Sequence, residues 1–261
     1  MIKAKKSLGQ NFLINYEVLE QIVNTVEIND KEILEIGPGS GNLTSHILKR
    51  NPKKIYVIEK DDELVLLLSK KFKDEISIIH DDVLKIAEDK ISNEKLIVFG
   101  NLPYNISTEI LSKWIVNLNK NFWFDNLVLM FQKEVADRMI AQYNTSNYGR
   151  LSIFTNWKLN IQKIIDIKPE SFSPRPKIDS TLLLFTPKQN FFELDNADSL
   201  EMITRVFFSQ RRKMLKKPFN QIFKNAKVIS DKYNIDLNLR PQNLKPEIYY
   251  NLAKEYENLR G

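Results

Sequence analysis

Lys31-Glu32-Ile33-Leu34-Glu35-Ile36-Gly37-Pro38-Gly39-Ser40-Gly41-Asn42 joins an apolar run to three glycines within five positions. Residues 31–36 read as a short strand and residues 42–50 as a helix. Glycine lets the backbone turn tightly and puts no side chain in the path of a ligand. A dinucleotide fingerprint carries Gly or Ala one place further on, where this chain has Asn42. The G-x-G-x-G form suits a nucleoside without a pyrophosphate.

The same alternation continues on both sides. Leu19, Ile22, Val23 and Val26 recur at helical spacing over residues 15–26, with Asn15 as N-cap. Strands are expected at 54–58, 76–79, 96–99 and 127–131, and helices at 61–72, around Ile110 to Leu118, and at 132–142. Alternating strands and helices imply a parallel sheet covered on both faces. Two further strands are expected at 161–167 and 181–185, flanking a Pro-rich loop. From Ser199 the pattern is helical only. A polar connection at 187–198 divides residues 1–190, an α/β catalytic domain, from residues 191–261, a small all-helical domain.

The chain has 261 residues, no cysteine and two histidines, His46 and His80. Disulfides, thiolate nucleophiles and cysteine-ligated metals are excluded, and no metal site is expected. No secretory signal or membrane-spanning run is present in the sequence, so a cytoplasmic protein with no membrane partner is expected. The net charge of +6 suits an anionic partner. Lys5 and Lys6 lie near the start. Seven cations, including Arg211, Arg212 and Lys213, fall between Ser209 and Lys227 with no acidic residue. Read as one helical stretch, they make a phosphate-backbone footprint, with Lys177 as a further contact. No spare apolar helix face is evident, and a monomer is expected.

Four positions at the carboxyl ends of the expected strands carry chemistry. Gly37 and Gly39 line the first turn. Glu59 follows Gly37 by 22 positions, near the spacing of a carboxylate that accepts a ribose diol. Asp82, with Asp81 as its rival, can accept from an adenine amino group. Asn101-Leu102-Pro103-Tyr104 is the most specific motif. An exocyclic adenine amine is a poor nucleophile, because its lone pair is delocalised into the ring. The Asn101 amide oxygen and the Leu102 carbonyl can accept its two N–H bonds and localise that pair. Pro103 biases Leu102 toward an extended conformation, and Tyr104 offers a stacking face. Ser171-Phe172-Ser173-Pro174-Arg175-Pro176-Lys177 presents a second aromatic, Phe172, either for stacking or as a buried loop anchor.

These pieces together resemble the ribosomal RNA adenine N6-dimethyltransferase family. The matching stretches are KKSLGQNFL (5–13), EIGPGSGNLT (35–44), VIEKD (57–61), DDVL (81–84), FGNLPYNIST (99–108), FQKEVADR (131–138), SFSPRPKIDS (171–180) and FFSQRRKML (207–215). The resemblance implies a class I methyltransferase sheet with S-adenosylmethionine as methyl donor. It implies cofactor contacts from Asn11, Leu13, Gly37, Glu59, Asp82 and Asn101, and a target adenine held by Asn101 to Tyr104 with Phe172. Leu102, the Phe99-Gly100 pair and residues 177–180 and 207–212 look like the branch acting on 16S rRNA of the small ribosomal subunit. The branch acting on large-subunit rRNA usually has isoleucine at position 102. An RNA-binding assembly factor is the alternative from another class.

Overall fold

The computed structural model describes residues 5, 9–118 and 120–259. The first elements are a two-residue strand β1 (Phe12–Leu13) and helix α1 (Tyr16–Val23). Asn15 caps α1 by accepting the Val18 N–H at 3.0 Å, and Leu19, Ile22 and Val23 are buried. Next come β2 (Glu32–Ile36), α2 (Asn42–Leu48), β3 (Lys54–Glu59), α3 (Asp62–Phe72) and β4 (Ser77–His80). They are followed by β5 (Leu96–Gly100), α4 (Ser107–Asn117), β6 (Phe124–Gln132) and α5 (Lys133–Met139). The chain continues through α6 (Arg150–Lys158), β7 (Leu159–Ile167), β8 (Phe172–Ser173) and β9 (Ser180–Pro187), then helices α7 (Ala197–Ser209), α8 (Lys216–Ile222), α9 (Ala226–Lys232) and α10 (Pro246–Asn258).

Seven strands form one sheet in the order β4-β3-β2-β5-β6-β9-β7. The pairs among β4, β3, β2, β5 and β6 are parallel, and β9 runs antiparallel to β6. The sheet is therefore mixed rather than wholly parallel. Residues 168–179 hold a 3-10 turn and β8 but no crossover helix, the connection a parallel strand requires. The parallel strands are largely apolar, and every residue of β2 and β5 is buried, Glu32 and Glu35 of β2 included. Ile33, Val57, Ile97 and Phe99 share a core with Leu19, Ile22, Ile47, Leu68 and Phe72 of the covering helices.

The expected cut near residue 190 describes the chain only in part. One compact unit runs to Ala136 and resumes over Asn160–Pro187; the other joins Asp137–Leu159 to the residues from Lys188 onward. The helical unit thus takes in α6, which has no apolar stripe and no side-chain cap at its Gly149 start. Its core stacks Phe207 against Phe219 and Tyr249, with ring centres 5.3 and 5.7 Å apart. The Tyr250 hydroxyl donates to the Ile153 carbonyl at 3.0 Å, tying α10 to α6. Among the described residues no helix is long and apolar enough to cross a membrane.

Strand order reverses at β2. From there the chain winds out through β3 and β4, then returns to β5 on the other side. Loops leaving adjacent strands at such a point diverge and open a crevice. The glycine turn after β2 sits on that crevice. Gly41 has φ of +73°, and a Cβ there would run into the Phe72 ring at the end of α3. Gly41→Ala combines a left-handed backbone with this clash. It is expected to lower unfolding free energy by about 2 kcal/mol, measured by urea denaturation.

Candidate active site

A cavity of about 380 Å³ occupies the crevice, within the range of small-molecule sites, roughly 300–1,000 Å³. Its wall is built from the ends of β2, β3 and β5, the loop after β4, and residues Gly9–Leu13. The three loop glycines do different work. A Cβ on Gly39 would lie 2.7 Å from the Phe12 ring, so this glycine lets Phe12 close over the turn. A Cβ on Gly37 would meet nothing within 4 Å. Gly37 therefore faces the open cavity, where a side chain would take a ligand's space.

Glu59 ends β3 and is 7% exposed. Its Oε1 accepts the N–H groups of Lys60 and Asp61, each at 2.9 Å, and its Oε2 accepts that of Gly39 at 3.3 Å. Burial pushes its pKa up, opposed by those amides. A carboxylate offers about four lone-pair sites, so one remains for a ligand hydroxyl. Asp82 follows β4. Its Oδ2 pairs with Lys60 Nζ at 2.8 Å and its Oδ1 accepts the Leu84 N–H at 3.0 Å. The Lys60 bond, then the Leu84 amide, hold it below the usual carboxylate range. Asp81 lines the cavity too, so placement alone does not separate it from Asp82. Lys113 of α4 fixes this loop by donating to the Val83 carbonyl at 2.9 Å and pairing with Glu88 at 2.8 Å.

Asn101 Nδ2 donates to the Asn11 backbone carbonyl at 2.8 Å. A carbonyl only accepts, so the amide's NH2 must face it. The Asn101 Oδ1 is thereby left as an acceptor beside the cavity. The Leu102 side chain is 1% exposed, and the Pro103 and Tyr104 that follow line the cavity. Tyr104 is hydrogen-bonded through its hydroxyl to Ser180 Oγ. Burial raises the phenol's pKa, so Tyr104 offers its ring rather than a proton. Leu13 lines the cavity, and its carbonyl accepts from Asn42 Nδ2 at 2.7 Å.

Other residues named from the sequence lie elsewhere. Phe172 does not line the cavity. β8 pairs antiparallel with β1, Leu13 opposite Phe172, and the ring is 3% exposed within the core. Lys5 Nζ is bound to Asp61 at 2.8 Å and Glu63 at 3.1 Å instead of facing solvent alone. Lys6 lies outside the described residues. Lys177 is exposed. The cations between 209 and 227 do not share one helix: α7 stops at Ser209 and α8 begins at Lys216. Arg211 donates to the carbonyls of Ser146 and Tyr148 at 2.9 and 3.2 Å, a structural tie inside the helical unit. Arg212 and Lys213 line an open cleft there with Lys216, Lys217 and Arg240. Among the described residues none of these five has an acidic partner.

Sequence reasoning missed Gln10, Phe12, Asn42 and Glu35. Asn42 entered only as a departure from a dinucleotide motif, yet it holds the Leu13 carbonyl. Among the described residues no cluster of three or more His, Asp or Glu is placed to hold a metal.

Glu35 is buried on the cavity wall and accepts from Thr44 Oγ1 at 2.6 Å. Burial pushes its pKa to about 7, with Thr44 opposing. The folded chain thus retains a proton that the unfolded chain releases, and stability from this group falls as pH rises from about 4.5 to about 7. Glu35→Gln is expected to gain stability relative to the parent across that window and to hold a constant advantage above it. Urea midpoints of both proteins at about pH 5 and pH 8 check this; an advantage independent of pH contradicts it.

A family model described as "Ribosomal RNA adenine dimethylase" matches residues 1–258. A "Ribosomal RNA small subunit methyltransferase A" from Pelagibacter ubique (strain HTCC1062) is 70% identical over 260 residues, 100% of this chain and 99% of the relative. One of the same name from Ehrlichia ruminantium (strain Gardel) is 42% identical, with 97% of each covered. The fold is similar to that of a dimethyladenosine transferase from Plasmodium falciparum, with a TM-score of 0.78, 26% identity and coverage of 95% of this chain and 98% of that one. The 23S rRNA methyltransferase ErmE shares the fold at a TM-score of 0.69 and 20% identity, with 95% and 100% covered.

Proposed function

Because the chain belongs to the ribosomal RNA adenine dimethylase family, we propose that it dimethylates N6 of two adjacent adenosines in the 3′-terminal hairpin of 16S rRNA, with S-adenosylmethionine as methyl donor. The observation that carries this reading is the Asn101 amide on the cavity wall, its Nδ2 bound to the Asn11 carbonyl and its oxygen left as an acceptor.

Bound in the cavity, S-adenosylmethionine supplies an electrophilic methyl group on a sulfonium. Gly37 leaves room for it, Glu59 would accept one of its ribose hydroxyls, and Asp82 would accept from its adenine amine. The target adenine stacks on Tyr104. Asn101 Oδ1 and the Leu102 carbonyl accept the two N–H bonds of the target amine, which localises its lone pair along the line of attack. The nitrogen gains the methyl carbon, the carbon–sulfur bond breaks with its electrons left on sulfur, and the new ammonium gives its proton to solvent. A second round repeats the transfer on the monomethyl amine.

The name shared by the 70% and 42% identical relatives favours the small subunit over the large one. Arg212, Lys213, Lys216, Lys217 and Arg240 form a cationic cleft suited to RNA phosphates, which position the substrate without reading its sequence. The enzyme acts in the cytoplasm as a monomer.

The test is transfer of labelled methyl from S-adenosylmethionine to small subunits lacking the dimethyladenosines, with the label mapped by position. Label on the two adjacent adenosines is expected. Asn101→Ala should slow transfer about 100-fold or more, because one acceptor at the reacting centre is lost. Label confined to large-subunit RNA, or full activity in Asn101→Ala, overturns the reading.

A further inference from the structure

The Asp61 carboxylate has no part in the transfer described above, yet Asp61 is 4% exposed and bonded in four directions. Its backbone N–H donates to Glu59 Oε1 at 2.9 Å. Its Oδ1 accepts the Glu63 N–H at 3.0 Å, capping α3, and Lys5 Nζ at 2.8 Å. Its Oδ2 accepts Gln10 Nε2 at 3.0 Å. Capping a helix uses one oxygen, and serine serves there as well as aspartate. The second oxygen is spent on Gln10.

Gln10 precedes Asn11, whose carbonyl orients the Asn101 amide. A continuous path therefore runs from the end of β3 to the end of β5: the Asp61 carboxylate, the Gln10 amide, the Asn11 carbonyl, the Asn101 amide. Beyond Asn11 the segment pairs as β1 with β8, and Ile14 N–H donates to the Ser171 carbonyl at 2.8 Å. The carboxyl-terminal side of Asn11 is held by that pairing. Its amino-terminal side is held through Gln10 by Asp61.

We propose that Asp61 is a positioning residue for methyl transfer, acting through Gln10 to fix the Asn11 carbonyl and hence the direction in which Asn101 Oδ1 points. The proposal rests on the reading of Asn101 as acceptor of the target amine. Without the Gln10 anchor the Asn11 carbonyl moves, and the Asn101 amide loses its fixed orientation. A misplacement of the order of 1 Å at a reacting centre is enough to cost a large factor in rate. Asp61 also anchors Glu59 through a main-chain bond, which side-chain substitution leaves in place.

Two variants separate positioning from helix capping. Asp61→Ser keeps a cap for α3 and removes the acceptor for Gln10. Gln10→Met keeps the side-chain length and removes the donor. Single-turnover methyl transfer to undermethylated small subunits is measured at saturating S-adenosylmethionine, alongside binding of S-adenosylhomocysteine. Each variant is expected to transfer about tenfold more slowly, with affinity for S-adenosylhomocysteine within about threefold of the parent. The double variant should be no slower than the slower single, because both break the same path. Transfer at the parent rate in Gln10→Met overturns the proposal, even if Asp61→Ser fails to fold. So do losses that multiply in the double variant. A parent protein that transfers no methyl, or an Asn101→Ala variant at full rate, instead overturns the reading beneath it.

Discussion

The register of the central strands determines where every reacting group can stand. Ile36, Ile58, Ile79 and Gly100 lie side by side across β2, β3, β4 and β5. The residues that follow each of them therefore emerge along one edge of the sheet. Gly37, Glu59, His80 and Asn101 are those residues, and Asp81 and Asp82 come directly after His80. A slip of one residue in any strand turns its side chains to the opposite face and removes its contribution. The apolar packing of these strands is thus also what assembles the cavity.

That edge gathers carboxylates in a chain whose net charge is +6. Glu35, Glu59, Asp81 and Asp82 all line the cavity. Buried carboxylates are costly unless hydrogen-bonded or neutralised. The protein answers each differently: Thr44 for Glu35, three main-chain amides for Glu59, Lys60 for Asp82. Burial still pushes the pKa of Glu35 and of Glu59 up, against these hydrogen bonds. An acidic cavity of this kind complements a cationic small molecule, whereas the cleft at Arg212 and Arg240 complements a polyanion. The cavity and the cleft are thus lined by charges of opposite sign within one chain.

Much of this was legible in the sequence, because it depends on periodicity and strand-end position. The apolar runs located the five parallel strands, Asn15 announced its helix, and the glycine turn and Asn101 fell where a ligand crevice should be. What was not legible depends on partners distant in the chain. β1 and β8 are two residues each and exist only by pairing with one another, and that pairing turns Phe172 inward. α6 is covered around much of its circumference and so lacks an amphipathic signature. Lys5 and Arg211 read as free charges, but Asp61 and the carbonyls of Ser146 and Tyr148 hold them. The antiparallel β9 leaves no mark on local pattern, since a buried strand looks the same in either direction.

The central claim is that this strand-end crevice is the site of the methyl donor, with Glu59 on the ribose. Calorimetric titration with S-adenosylhomocysteine tests it most directly, comparing the parent protein with Glu59→Gln. The account predicts one site per chain and an affinity at least about tenfold weaker in the variant, about 1.4 kcal/mol. Equal affinity in the two proteins would contradict it.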